Sequence, residues 1–412
     1  MNPVYRLLKE QPRSDQQWIG LEVERIALQN GKPVRYEPDV RGCLSELHQK
    51  SRWAIDYEVD GKILALKKNL HSISVEPGGQ FEVSPAPRKS IQEIEKLLNE
   101  IDRDVLSTEA ASKWKWLYLG LNPWDKPDDI HILPSPRYQL MNQHYRSKPG
   151  DRGREMMRLS AGLQINLDFQ YDQDGAEMLQ AAFWIAPVMS ALFSHSPYQF
   201  GKRTKALSER RMIWSQTDPQ RSGFLAFALE PDFNIEKYSE YVCSAPLMYA
   251  YDEDGKVWDP QGKSLRDLPS LLQRHNALAA MRQLFSEVRF KPCCVEVRFL
   301  DEQSNEFRAA ASAMIIGLLY DKENRQHIRK KYASYSVETL KKLMLEGAER
   351  GLKHDEIYSQ AKDFFSLADM GLRRRGLNEG SFLAPIDEKL FRHRQTPAEL
   401  FIAAEAKELG LS

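Results

Sequence analysis

A chain of 412 residues in which 58 basic and 58 acidic side chains cancel has no overall field to draw it to nucleic acid or to an anionic membrane, so small-molecule partners are expected. Its 42% hydrophobic residues can fill a substantial core, and the length allows either two or three ordinary domains or one large one. No stretch approaches the length of a membrane span and the charged first ten residues lack an apolar signal core, which makes a cytoplasmic protein the expectation.

From Trp18 to Leu28 apolar and polar residues alternate, so Glu22 and Glu24 project side by side from one strand face. Gly31 breaks that run. Gly61 then separates Trp53–Glu58 from Lys62–Leu66, a pattern that predicts strand, turn and strand. In the following Ser72–Ser84 segment, Gln80, Glu82 and Ser84 share a face opposite Phe81 and Val83. Pro77 cannot donate to a ladder and Gly78-Gly79 permit unusual backbone angles, which predicts one glycine-broken, bulged strand that brings Glu76 and Glu82 to a common cavity. An edge strand with a solvated polar face fits this segment about as well.

Ser90 with Glu93 forms a capping box, and Ile91, Ile94, Leu97, Leu98, Ile101 and Val105 recur at helical spacing, so a helix covers a sheet face here. Trp114–Tyr118 reads as a strand and Asn122–Pro136 as a proline-rich loop. Arg137, Arg152, Arg154 and Arg158 precede the strand Leu163–Asp168, on which Gln164 and Asn166 share a face; they form an anion site or a solvated surface. Met178–Phe193 is a core helix and His195 a structural histidine. The Arg210–Gly223 segment sets Arg210, Trp214 and Arg221 where they could clamp an anion.

On Val295–Phe299, Glu296 and Arg298 share a face, which suits a metal ligand beside a phosphate clamp or a plain ion pair. The final third, from about residue 305, is helical, with Gly351 and Gly371 as stops and Thr396-Pro397-Ala398-Glu399 opening the last helix. The spacing of Cys43, Cys243, Cys293 and Cys294 fits neither a disulfide framework nor a zinc site, so they read as reduced and structural. Without repeats or a long linker, residues 1–412 are expected to form one large catalytic domain.

Glu22, Glu24, Glu76, Glu82 and Glu296 thus lie on at least three strands, and carboxylates converging on one cavity repel unless cations neutralise them. Oxygen ligands suit magnesium or manganese. With Arg298, Arg221 and Arg210 nearby, such a sheet suits ATP chemistry, and the absence of a Walker loop or a dinucleotide fingerprint removes the commoner nucleotide folds.

Several ordered blocks carry a resemblance: Gly20-Leu21-Glu22-Val23-Glu24, the Ser72–Pro87 run with Glu76-Pro77-Gly78-Gly79-Gln80-Phe81-Glu82 at its centre, Arg137-Tyr138, Gln164–Asp168, Ile213-Trp214 through Arg221, Glu296-Val297-Arg298 and Gly371–Gly376. Over nearly its whole length the chain resembles the plant-type and proteobacterial glutamate–cysteine ligases, within the glutamine-synthetase-like carboxylate–amine ligases. The resemblance implies an α+β, glutamine-synthetase-like fold with a curved, mainly antiparallel active-site sheet flanked by helices. It implies formation of a γ-glutamyl peptide bond from ATP, L-glutamate and L-cysteine through an acyl phosphate. Mg2+ or Mn2+ would sit on Glu22, Glu24, Glu76, Glu82 and Glu296, with Arg298 and Arg221 on phosphate oxygens. Gln80, Gln164, Asn166, Arg210, Trp214 and Lys67 would contact substrate or ATP, in a monomer or homodimer without nucleic-acid or membrane partners.

The chain departs from the plant pattern at Phe299-Leu300-Asp301-Glu302-Gln303, at Ala280 and at Pro246-Leu247-Met248-Tyr249. Those departures leave the acceptor amine open to another amino acid or amine. A family member that binds without turnover is the remaining alternative.

Overall fold

The computed structural model of the chain describes residues 2–10, 16–271 and 273–411. Its main sheet contains β1 (Ile19–Gln29), β2 (Ala54–Val59), β3 (Lys62–Lys68), β4 (His71–Val75), β5 (Phe81–Ser84), β6 (Gly162–Asp168), β7 (Val288–Lys291) and β8 (Cys294–Asp301). They run in the open order β7-β8-β6-β1-β5-β4-β3-β2, antiparallel throughout. Two short strands, Lys32–Pro33 and Lys115–Leu117, pair with the far half of β1 and bring the sheet to ten.

Alternation along these strands separates two faces. Leu21, Val23, Leu163, Ile165, Leu167, Val295, Val297 and Phe299 are buried in one continuous core, while Glu22, Glu24, Gln164, Glu296 and Arg298 occupy the other face of the same strands. Each fully buried aliphatic side chain contributes roughly 1.5–3 kcal/mol. A one-residue slip would exchange the faces and bury the carboxylates in the core, so burial sets the register.

Helices cover the apolar face. They include α1 (Ile91–Leu106), α2 (Asp172–Leu192) and, beyond the short α3 (Glu209–Ser215), α4 (Asn305–Leu319). α1 opens with the expected Ser90–Glu93 capping box and buries Ile91, Ile94, Leu98, Ile101 and Val105. With the helix Lys322–Tyr332, α5 (Val337–Arg350), α6 (Asp355–Arg375) and α7 (Pro397–Ala404) continue the helical final third.

Two local expectations need correction. The Ser72–Ser84 segment is not one bulged strand: β4 and β5 form a hairpin with Ser72 opposite Ser84 and Ser74 opposite Glu82. Gly371 does not stop a helix either. It lies inside α6, where a Cβ would come within 2.0 Å of the Gly317 carbonyl oxygen on α4, so it permits two helices to touch. α6 ends instead at Gly376, whose φ of 76° is left-handed.

Candidate active site

Above the polar face of the sheet opens a cavity of about 940 Å³. Glu22 and Glu24 reach it from β1, Glu82 from β5, Gln164 from β6 and Arg298 from β8, while Glu76 and Gln80 come from the hairpin turn.

That turn is held by contacts only glycine allows. Gly79 has a φ of 90°, and its N–H donates to the Glu76 carbonyl at 2.7 Å. A Cβ on Gly78 would lie 2.1 Å from the Arg158 carbonyl oxygen. Gln80 locks the arrangement: its Oε1 accepts from Gly78 N–H at 2.9 Å, and its Nε2 donates to the carbonyls of Ser160 at 2.8 Å and Met157 at 3.3 Å. Gln80 therefore holds the backbone that presents Glu76. Gly78→Ala is expected to force the turn off the Arg158 backbone, costing at least about 1–3 kcal/mol, as overpacking does. A melting curve of the variant indistinguishable from wild type would contradict the close approach.

The acidic side of the cavity is short of positive charge. Glu24 and Glu82 stand directly opposite each other across β1 and β5, a pairing that repels when both ionise. Glu24 Oε2 accepts from Gly162 N–H at 2.6 Å and its Oε1 from Gln164 Nε2 at 2.7 Å, yet burial, with Glu76 nearby, pushes its pKa up to about 7. Glu82 accepts from Ser74 Oγ at 2.6 Å; burial, then Glu76, Glu22 and Glu24, raise its pKa well above the carboxylate range. Burial raises that of Glu76 too, against Arg137 and Arg298.

Glu22 and Glu296 are better supplied. Lys291 Nζ bridges Glu22 Oε1 and Glu296 Oε1, and Asn166 Nδ2 donates to Glu22 Oε1 at 3.0 Å. Glu296 Oε2 also pairs with Arg289 Nε and, at 2.9 Å, with Arg298 Nη1. Burial works against ionised Glu296, but Arg289, Lys291 and Arg298 outweigh it and hold its pKa well below the usual range. Arg298 Nη1 also donates to Gln164 Oε1 at 2.6 Å. The Gln164 carboxamide thus links Glu24 to Arg298.

Among the other anticipated residues, Trp214 lines the cavity, with the guanidiniums of Arg210, Arg211 and Arg298 5.0, 5.1 and 5.8 Å from its ring centre. Arg210 is fully buried, donates through Nη2 to the Arg298 carbonyl at 3.2 Å and lies outside the lining. Arg221 is also outside it, with Nε on Asp218 at 2.8 Å and Nη1 on the Pro246 carbonyl at 2.7 Å. Asn166 is set back behind Glu22. Lys67 pairs with Asp56 at 2.9 Å and its side chain is 56% exposed.

Residues that the sequence left unassigned, and Arg137, which it offered as part of an anion site or a solvated surface, complete the wall. Arg137, Tyr138, Tyr249, Arg282, Arg289 and Lys291 all line the cavity. Alternation in Val288-Arg289-Phe290-Lys291 is a usable signal, since it sends Arg289 and Lys291 to the face of Glu296, and the register sets Arg289 directly opposite it. Arg137, at the start of the helix Pro136–Arg146, and Arg282, at the end of the helix Arg274–Arg282, carry no comparable pattern.

Among the described residues no group of three or more acidic, histidine or cysteine side chains is already placed to hold a metal ion. The site still offers oxygen donors of the type a divalent cation takes: Glu24, Glu76 and Glu82 line it, and burial together with repulsion from neighbouring glutamates raises their pKa values.

A sequence-family model described as glutamate-cysteine ligase family 2 matches residues 18–408. The chain belongs to the glutamate–cysteine ligase family 2. The chain is 32% identical over 416 residues to the chloroplastic glutamate–cysteine ligase of Arabidopsis thaliana, covering 97% of this chain and 78% of that one. It is 31% identical over 397 residues to the chloroplastic glutamate–cysteine ligase B of Oryza sativa subsp. japonica, covering 92% and 77%. The solved glutamate–cysteine ligase of Francisella tularensis in complex with AMP superposes with a TM-score of 0.61 at 15% identity, over 97% of this chain and 87% of that one. The fold is therefore the expected α+β one, shared with that solved ligase, with an open, antiparallel main sheet. The plant relatives correct the expected cytoplasmic location, because they are named as chloroplastic proteins. No helix among the described residues is long and apolar enough to cross a membrane.

Proposed function

We propose that this chain uses ATP to join the γ-carboxylate of L-glutamate to the amine of L-cysteine, giving γ-glutamylcysteine. The observation that carries the reading is the pairing, in one cavity, of the carboxylates Glu22, Glu24, Glu76 and Glu82 with a wall containing Arg137, Arg289, Lys291 and Arg298. Such a site suits a reaction in which one anion must approach another. Family membership supplies the reaction class.

The first step forms a bond between a glutamate γ-carboxylate oxygen and the γ-phosphorus of ATP, and ADP leaves. In the second, the amine attacks the γ-carbonyl carbon and phosphate leaves with that oxygen. Magnesium or manganese held by Glu24, Glu76 and Glu82, with Glu22 beside them, supplies the charge that offsets phosphate and carboxylate repulsion. Arg298 orients the transferring phosphoryl group, and Gln164 and Glu296 hold Arg298 in place. Glu296 faces three cations already, so we assign it to anchoring rather than to the metal. Arg210 and Arg221 support the wall from behind, and residues 1–412 act as one catalytic unit.

Mass spectrometry of the products formed from ATP, magnesium, L-glutamate and a pool of amines tests the assignment. γ-Glutamylcysteine is the expected main product, and its loss with EDTA and return with magnesium or manganese, without zinc, are expected too. Preferred use of another amine would overturn the cysteine assignment. Full turnover in chelator would overturn the metal.

A further inference from the structure

Behind the hairpin of β3 and β4 lies a second cleft of about 410 Å³ that the proposed reaction does not use. Neighbours on a strand point to opposite faces. Ser72 and Ser74 line the catalytic cavity, whereas His71 and Lys68, paired across the hairpin, line this cleft together with α1. Its volume falls in the range of small-ligand pockets.

The cleft has an apolar floor and charges of both signs. Leu97 and Ile101 supply the floor. Asp104 Oδ2 accepts from Trp53 Nε1 at 3.1 Å and from Lys68 Nζ at 2.7 Å, and the Lys68 ammonium sits 5.7 Å from the Trp53 ring centre. His71 Nδ1 accepts from Ala86 N–H at 3.0 Å, which makes Nε2 the protonated nitrogen of the neutral ring and a spare donor. Arg103 uses Nε on the Asn99 carbonyl at 3.4 Å. Among the described residues no side chain forms an ion pair with the Arg103 guanidinium or with the half-buried Glu100.

Two cations and two anions around an apolar floor match neither a bare anion nor a bare cation. We propose that this cleft is a second small-molecule site, for a zwitterion the size of an amino acid or dipeptide, whose occupancy is felt at the catalytic carboxylates. Its carboxylate meets Arg103 and His71, its ammonium meets Glu100, and its apolar part lies on Leu97 and Ile101. Two short paths lead to the active site. On β4, His71 is next to Ser72, and Ser74 donates to Glu82. On α1, Asp102 sits between Ile101 and Arg103 and pairs with Arg25, the residue after Glu24 on β1.

The test is calorimetric titration of the full chain with L-leucine and, separately, glycyl-L-leucine, after L-glutamate, L-cysteine and a non-hydrolysable ATP analogue have filled the catalytic cavity. Succinate serves as the probe without an ammonium group. Saturable binding of one zwitterion and none of succinate is expected, with the two probes distinguishing amino acid from peptide. Arg103→Glu should weaken binding by at least about tenfold, the loss of a charge-assisted contact, while basal turnover and melting temperature stay at wild-type values. Leu97→Trp, which fills the cleft, should abolish binding, and Glu82→Gln should leave it intact.

Absence of binding, binding that survives Arg103→Glu, or binding lost in Glu82→Gln would each overturn the site. Binding that leaves both kcat and the KM for glutamate unchanged would overturn the coupling. The binding arms do not depend on which amine the enzyme accepts, so their failure is distinguishable from failure of the proposed function.

Discussion

Replacing Glu82 with glutamine should lower kcat by at least about a hundredfold while leaving the metal-free protein as stable as wild type or more so. Glutamine keeps the oxygen that accepts from Ser74 Oγ, so the hairpin contact survives. What disappears is one negative charge in a cavity where burial and three neighbouring glutamates already disfavour ionisation. A structural carboxylate would show the opposite pattern, with lost stability and turnover preserved in the folded fraction. The hundredfold figure is the size typical of removing one preorganised electrostatic contact or metal-directed charge. Melting temperature and steady-state ATP turnover on one preparation decide it, and a stable variant with wild-type kcat would remove Glu82 from the metal site.

The same electrostatics sets a pH dependence. Because the pKa of Glu24 is raised in the folded state to about 7 from an ordinary 4.5, the native protein binds more protons than the unfolded chain between those values. Its contribution is fully present below about pH 4.5 and is lost as pH rises through 7. Glu82 and Glu76 shift in the same direction. Glu296 shifts the other way, so its stabilisation is lost as pH falls below the ordinary carboxylate range. In chelator the melting temperature should fall from pH 5 to pH 8, and magnesium or manganese should flatten that slope. A flat profile in chelator would mean the carboxylates are not short of charge.

Arg298→Lys should cost about a hundredfold or more in kcat with little change in melting temperature. Arg298 spends a single nitrogen, Nη1, on both Gln164 and Glu296. Lysine can keep one such contact and the charge, but it loses the planar fork that meets two phosphoryl oxygens at once. Glu296 would still be matched by Arg289 and Lys291, so the buried carboxylate is not orphaned. If Arg298 were only a structural partner of Glu296, the variant would lose stability and keep its turnover.

Period-two alternation makes much of this site legible in the amino-acid sequence. It assigns Glu22 with Glu24, Gln164 with Asn166 and Glu296 with Arg298 to their faces, because each strand has one face in the core. Pairing register is not legible. That Glu24 faces Glu82, and that Ser72–Ser84 folds as a hairpin, depend on which strands meet, and a single strand's pattern says nothing about its neighbour. Arg210 and Arg221 show the limit of reading charge from sequence, since buried arginines can be consumed by carbonyls and Asp218 as readily as by a substrate. Lys67 shows a related limit: it is paired with the cavity residue Ser72, yet its ammonium turns to Asp56.

The central claim is that the γ-carboxylate of glutamate is phosphorylated in the cavity between the glutamates and Arg298. The most direct measurement follows oxygen-18 from L-glutamate labelled in its γ-carboxylate, with ATP, magnesium and L-cysteine, into released phosphate. The account predicts that each phosphate carries one labelled oxygen and that the peptide product retains the other, with transfer abolished in chelator. Unlabelled phosphate formed alongside γ-glutamylcysteine would contradict it.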